Sequence, residues 1–201
     1  MEAYGWNVIV VRAWNVSILT PGGISKRIFN IPEDTPVEVE ISIDRPGPFR
    51  VRYESVVVTP SPQNLDFSID ECEVGLLQKA SQMAVRAINS LPETPFSAVG
   101  VNFRFKLNSD SDRLNKLLES LLDDCLGDGG NVVVGSLCRR SLKFDTGVVN
   151  VEIARQDNGE ANAVFNFHMG SEKPSSLVEW LGKSQDFFDK TNSLLELLEL
   201  S

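Results

Sequence analysis

The closing segment of the chain limits the fold more than any other stretch. From Ser176 to Leu200, the apolar residues Leu177, Trp180, Leu181, Phe187, Phe188, Leu194, Leu195 and Leu198 recur largely at steps of three and four, marking one face of a helix. Past Thr191 the pattern overflows that face, because Leu197 and Leu200 make the end apolar nearly all round. A helix apolar on every side has to be buried on every side, so either a deep core or a partner chain must cover it. Leu194, Leu195, Leu197, Leu198 and Leu200 are therefore the candidate interface. Their expected use is homodimerisation or docking on another protein.

With 201 residues and 42% apolar content, the chain can form one sizeable α+β domain over 1–201. A subdivision into a β-rich half (1–107) and a helix–three-strand–helix half (108–201) is compatible with the pattern. The net charge of −9 is spread evenly: residues 1–100 hold 8 Lys and Arg against 12 Asp and Glu, and residues 101–201 hold 11 against 16. Without a basic arm or stripe, nucleic-acid backbones and anionic membrane surfaces are disfavoured partners. Three cysteines with no CxxC spacing suit a reducing compartment, and Met1-Glu-Ala-Tyr-Gly5 does not read as a signal peptide. The longest apolar run, Val8 to Val11, is far short of the roughly 20 residues of a membrane helix. The expectation is a cytoplasmic protein.

Nine of the ten prolines lie at or before Pro95, so the first third reads as short strands separated by turns. Trp6–Leu19 is the opening strand region, turned by Pro21-Gly-Gly23. Val37, Val39, Ile41 and Ile43 alternate with polar residues, as do Phe49, Val51 and Tyr53, with Asp44-Arg-Pro-Gly-Pro48 between them. A hairpin of these two strands would set Glu38 and Glu40 opposite Arg50 and Arg52. Leu65–Ile69 forms another strand. Asp70 and Glu73 then resemble the two halves of a capping box for a helix burying Leu76, Leu77, Ala80, Met83, Ala84, Ala87, Ile88 and Leu91, stopped by Pro92 and Pro95.

Val99–Leu107 alternates most cleanly of all. A second helix opens near Ser109–Ser111, buries Leu114, Leu117, Leu118, Leu121, Leu122 and Cys125, and stops at Gly127. Strands follow at Val132–Phe144, Val148–Ala154 and Ala161–Met169, with Asp157-Asn-Gly159 closing the last hairpin. Ser176 and Glu179 form a capping box for the final helix. The fold class is α+β: mainly antiparallel β-meanders packed on about three amphipathic helices. Both halves end on a meander followed by a helix, which allows a diverged duplication, although no residue-level repeat proves it.

Chemistry is sparsely marked. His168 is the only histidine, and strand parity sets it with Asn166, on the face opposite Phe165 and Phe167. The same parity adds Asn150 and Glu152 on the preceding strand, and Asn102 and Arg104 if the Val99–Leu107 strand joins the sheet. Asn102, Arg104, Asn150, Glu152, Asn166 and His168 could thus line a polar face binding a small polar ligand, with Arg104 able to hold a carboxylate or phosphate. A merely solvated face accounts for the same pattern.

Cys138, beside Arg139 and Arg140, is the most reactive-looking thiol, but no nucleophile motif surrounds it. One histidine and scattered cysteines exclude the usual zinc patterns, Asp123, Asp124 and Asp128 lack EF-hand spacing, and Gly127-Asp-Gly-Gly130 lacks the Lys-Ser/Thr of a phosphate loop. No metal or cofactor is expected. Trp6, Trp14, Tyr4 and Phe29 could line a pocket or a contact patch, with core packing the simpler use. The reading is a non-enzymatic module that self-associates or serves as a subunit of a hetero-complex, with a polar-ligand binder as the alternative.

Overall fold

Strand β7 (Phe96–Leu107) joins the two halves of the chain. In a computed structural model of the protein, which describes residues 1–15, 17–42, 48–91 and 95–200, β7 pairs antiparallel with β2 (Asn7–Arg12) on one side and with β10 (Ala161–Gly170) on the other. The first half extends the sheet through β6 (Asn64–Ile69), β5 (Val56–Pro60), β4 (Arg50–Tyr53) and β3 (Glu38–Glu40). The second half extends it through β9 (Gly147–Arg155) and β8 (Ser136–Phe144). The order is β3-β4-β5-β6-β2-β7-β10-β9-β8, with β1 (Glu2–Ala3) pairing β7 off that path. This is an α+β fold with a ten-stranded antiparallel sheet.

Alternation decides the faces. Val8 and Val10, Leu65 and Phe67, Val99, Val101 and Phe103, and Phe165 and Phe167 are all buried on one side, under the helices. That side is an aromatic core. Phe167 stacks on Phe187 at 4.7 Å between ring centres, Trp180 lies 4.9 Å from Phe187, and Trp6 meets Phe103 edge-on at 4.9 Å. Trp6, Trp14 and Phe29 are core residues. Trp180 packs so closely on β9 that a Cβ at Gly147 would fall 2.7 Å from its ring and 2.5 Å from the His168 carbonyl oxygen, so only glycine fits there.

The hairpin of β3 and β4 has the expected register, Glu38 opposite Arg52 and Glu40 opposite Arg50. Arg52 bonds Glu40 at 3.2 Å and also pairs with Asp70, whose hydrogen bond raises the guanidinium pKa. Asp70 is thereby occupied and does not cap a helix. The helix α2 (Val74–Ser90) starts after Glu73, without a side-chain cap. The alternation at Phe49, Val51 and Tyr53 ends in a turn at Glu54, which takes a positive φ of 51° and leads from β4 into β5. Ile43, the turn 44–47 and the Pro92 stop lie outside the described residues.

Other boundaries differ from the sequence reading. Pro21-Gly-Gly23 does not turn a strand but opens a short helix, α1 (Pro21–Ile24), continued as a π turn over Ser25–Phe29; Thr20 accepts from the Gly23 N–H at 3.1 Å. The second helix is two: α3 (Asp112–Leu118), capped by Ser111, and α4 (Leu121–Asp128), capped by Ser120. Residues 132–135 are not strand.

The closing helix is also two, α5 (Pro174–Leu181) and α6 (Ser184–Leu197), and its first turn carries Pro174 rather than a Ser176–Glu179 capping box. The break at Gly182-Lys183 lets both pieces pack on α2. It is held by the hydroxyl contact of Ser81 with Ser184 at 2.7 Å, and by Lys183, whose ammonium pairs with Asp145. Splitting the two longer helices and adding α1 gives six α-helices among the described residues, where periodicity indicated about three.

The C-terminal leucines are covered by the chain itself. Leu194, Leu195 and Leu200 are buried and Leu198 packs against the core, while Leu197 is 72% exposed. After α6 the chain ends in a Schellman turn: Glu199 is left-handed (φ 55°), the Leu200 N–H donates to Leu195 at 3.0 Å, and the Glu199 N–H donates to Glu196 at 3.0 Å. This folds Leu200 back beside Leu195, and Arg113 of α3 fastens the turn by donating to the Leu198 carbonyl at 3.0 Å.

Leu195→Ala should cost about 2–5 kcal/mol and Leu197→Ala within about 0.5 kcal/mol, by urea unfolding. Both values should be independent of protein concentration. A Leu195 cost that grows with dilution would mean that a partner chain provides the cover.

Candidate functional site

The sheet face away from the helices carries a single row of polar side chains crossing six strands. Register sets Ser141 of β8 opposite Asn150 of β9, Asn150 opposite Asn166 of β10, Asn166 opposite Asn102 of β7, and Asn102 opposite Asn7 of β2. Each donates to the next. Ser141 Oγ bonds Asn150 Oδ1 at 2.7 Å, Asn150 Nδ2 bonds Asn166 Oδ1 at 3.0 Å, Asn166 Nδ2 bonds Asn102 Oδ1 at 2.8 Å, and Asn102 Nδ2 bonds Asn7 Oδ1 at 3.0 Å. Asn7 Nδ2 then donates to the Asp66 carboxylate of β6, which also accepts from Ser68 at 2.6 Å. All the bonds run in one direction and end on a negative charge, so their dipoles reinforce one another.

This row answers the sequence candidates unevenly. Asn102, Asn150 and Asn166 are brought together. Arg104 joins from the side, donating to Asn7 Oδ1 at 3.0 Å and to the Gly5 carbonyl, so its guanidinium is used within the protein. His168 and Glu152 share the face but stand on opposite sides of the row, His168 opposite Val148 and Glu152 opposite Val164. Neither makes a side-chain hydrogen bond or ion pair among the described residues, and they do not form a pair with each other.

The sequence reading missed Asn7, Asp66 and Ser141. Asn7 and Asp66 do have the right parity, each next to a buried apolar residue, but nothing in the sequence sets their strands in the order β6-β2-β7.

A second surface has the opposite character. Periodicity assigns Leu121, Leu122 and Cys125 to the core, yet α4 buries none of its residues: Leu121 is 79% exposed, Leu122 64%, and Cys125 is also exposed. The cause is the break after α3. Glu119 and Ser120 take extended backbone angles, so α3 packs on β8 and β9 while α4 leaves that direction and buries no residue. The chain then returns through Val132, Val133 and Val134 to the edge strand β8. Leu122 and Leu137 line one cleft of about 370 Å³ together with Leu117, Asp123 and Arg140.

Of the twelve large apolar side chains exposed among the described residues, seven fall between Leu121 and Leu137. Cys138 is half-buried, packed against the core and opposite Ile153. Among the described residues no group of three or more His, Cys, Asp or Glu could hold a metal ion, and no helix is long and apolar enough to cross a membrane.

No protein-family model matches this chain, and no curated protein does.

Asn166→Ala should cost about 1–3 kcal/mol in urea unfolding, because it leaves the buried Asn102 oxygen without a donor and the Asn150 amide without its acceptor. Asn162→Ala, on the same strand and face but outside the row, should change stability by no more than about 0.5 kcal/mol.

Proposed function

We propose that this protein is a non-enzymatic association module, which binds another protein chain through the apolar surface formed by α4, residues 132–134 and the β8 edge. The observation that carries this reading is the concentration of exposed Leu and Val between positions 121 and 137, which holds seven of the twelve large apolar residues exposed among the described residues. Scattered exposed apolar residues are ordinary, but seven within seventeen positions, with Leu122 and Leu137 in one cleft beside Asp123 and Arg140, point to a surface kept for a partner. Leu194, Leu195 and Leu200 give no comparable support, since the chain already covers them.

A small polar ligand on the asparagine face is the second reading. It is supported by the half-buried Asn150 and Asn166, each with an amide hydrogen outside the row, and by His168 with no intramolecular side-chain partner among the described residues. A ligand of this kind would raise the melting temperature of the native protein and not that of His168→Ala.

For the association reading, Leu122→Asp combined with Val134→Asp should leave stability within about 0.5 kcal/mol, since both positions are exposed. The same pair should abolish sedimentation above monomer mass, or binding of the apolar dye bis-ANS if the surface is open. Unchanged sedimentation and unchanged dye binding would sink the reading.

A further inference from the structure

The charges around the apolar patch are sorted by element. The helix α4 (Leu121–Asp128) carries Asp123, Asp124 and Asp128 and no cation, and Glu119 precedes it. The strand β8 (Ser136–Phe144) carries no acid; its Arg139 and Lys143 lie on the face of Ser141, with Arg139 opposite Glu152 of β9, and its Arg140 lies on the other face, so the cations flank the free edge from both sides. Asp123 and Arg140 line the same cleft, yet among the described residues none of Asp123, Asp124, Asp128, Arg139, Arg140 and Lys143 forms an ion pair within the chain. Elsewhere in the fold opposite charges do pair, as Arg50 with Glu40 and Lys183 with Asp145.

A surface that is half acidic helix and half basic strand, with leucines and valines between, is complementary to itself. A two-fold axis beside it would set the acidic helix of each copy against the basic edge strand of the other, with the exposed leucines of α4 next to the exposed Val132, Val134 and Leu137 of its mate.

We infer that the occupant of this surface is a second copy of the chain, in a two-fold dimer in which α4 packs over β8 of the other copy; this rests on the association reading above. Charge also selects against the simplest alternative. Antiparallel pairing of β8 with β8 about its middle residue would bring Arg140 against its own counterpart, and like charges directly opposite are unfavourable. Two copies of a chain with net charge −9 repel at long range, and the basic β8 edge opposes that repulsion at this surface.

The test uses two charge reversals of the full chain, Asp123→Lys with Asp124→Lys, and Arg139→Glu with Arg140→Glu, read by sedimentation at micromolar concentration in low salt. Wild type should be a dimer. Each reversal alone should weaken dimerisation by roughly tenfold or more, and an equimolar mixture of the two should recover it, because both contacts in the mixed dimer are again between opposite charges. That recovery also shows that each variant is folded. Dimers unweakened by either reversal, or weakened dimers that mixing does not restore, overturn the inference. A monomeric wild type whose bis-ANS binding is lost in the Leu122→Asp, Val134→Asp variant overturns the second copy as occupant and leaves the association reading standing. A monomeric wild type whose dye binding that variant does not change overturns both.

Discussion

Register across the sheet is the constraint on which the rest of the structure depends. Side-chain direction alternates along a strand, so a slip of one residue in any pairing would exchange the aromatic face for the polar one. The hydrogen-bonded row from Ser141 through Asn150, Asn166, Asn102 and Asn7 to Asp66 ties six adjacent strands at a single level. With that row in place, Phe103, Phe165 and Phe167 point together toward Phe187 and Trp180. Asn102 and Asn7 are buried on the face without helices, where an unbonded amide is costly, so any other register would strand polar groups as well as expose rings.

The helices follow from that core. The apolar face of the sheet is covered by α2 and by the broken pair α5 and α6, which bends at Gly182 to stay in contact with α2. Coverage thins at β8, on which α3 packs while α4 only borders a cleft beside it. One end of the sheet therefore keeps a free edge beside an uncovered amphipathic helix, and the exposed leucines and valines gather there. At the other end, β3 presents Glu38 and Glu40 held by Arg50 and Arg52. The two ends are unlike, the one neutralised within the chain and the other left with unpaired charge and apolar area.

Leucine periodicity was legible as helix and not as location. The segments 112–128 and 176–197 are both helical, and both are interrupted, at Glu119-Ser120 and at Gly182-Lys183. Their fates are reversed relative to the pattern. The end that is apolar all round is buried in its own core by a Schellman turn at Glu199 and by Arg113, a residue 85 positions away from the carbonyl it holds. The face that looks like an ordinary core stripe, Leu121 and Leu122, is exposed. Periodicity states that a face is apolar. It cannot state which neighbour covers it, because that depends on a break whose angle is set by packing of the flanking elements.

Alternation along the strands, the Glu–Arg hairpin register and the membership of Asn150 and Asn166 in one face were determined by the sequence alone, since each needs only the two-residue period and local pairing, whereas Asn102 joins them only through the long-range pairing of β7 with β10. The strand order was decided by the tertiary structure, and with it the contribution of Asn7, Asp66 and Ser141 to the row, the separation of His168 from Glu152, and the exposure of α4. These depend on contacts between residues far apart in the chain, such as Asn7 with Asn102 and Asp66, and no local propensity encodes which distant strand a given strand will meet.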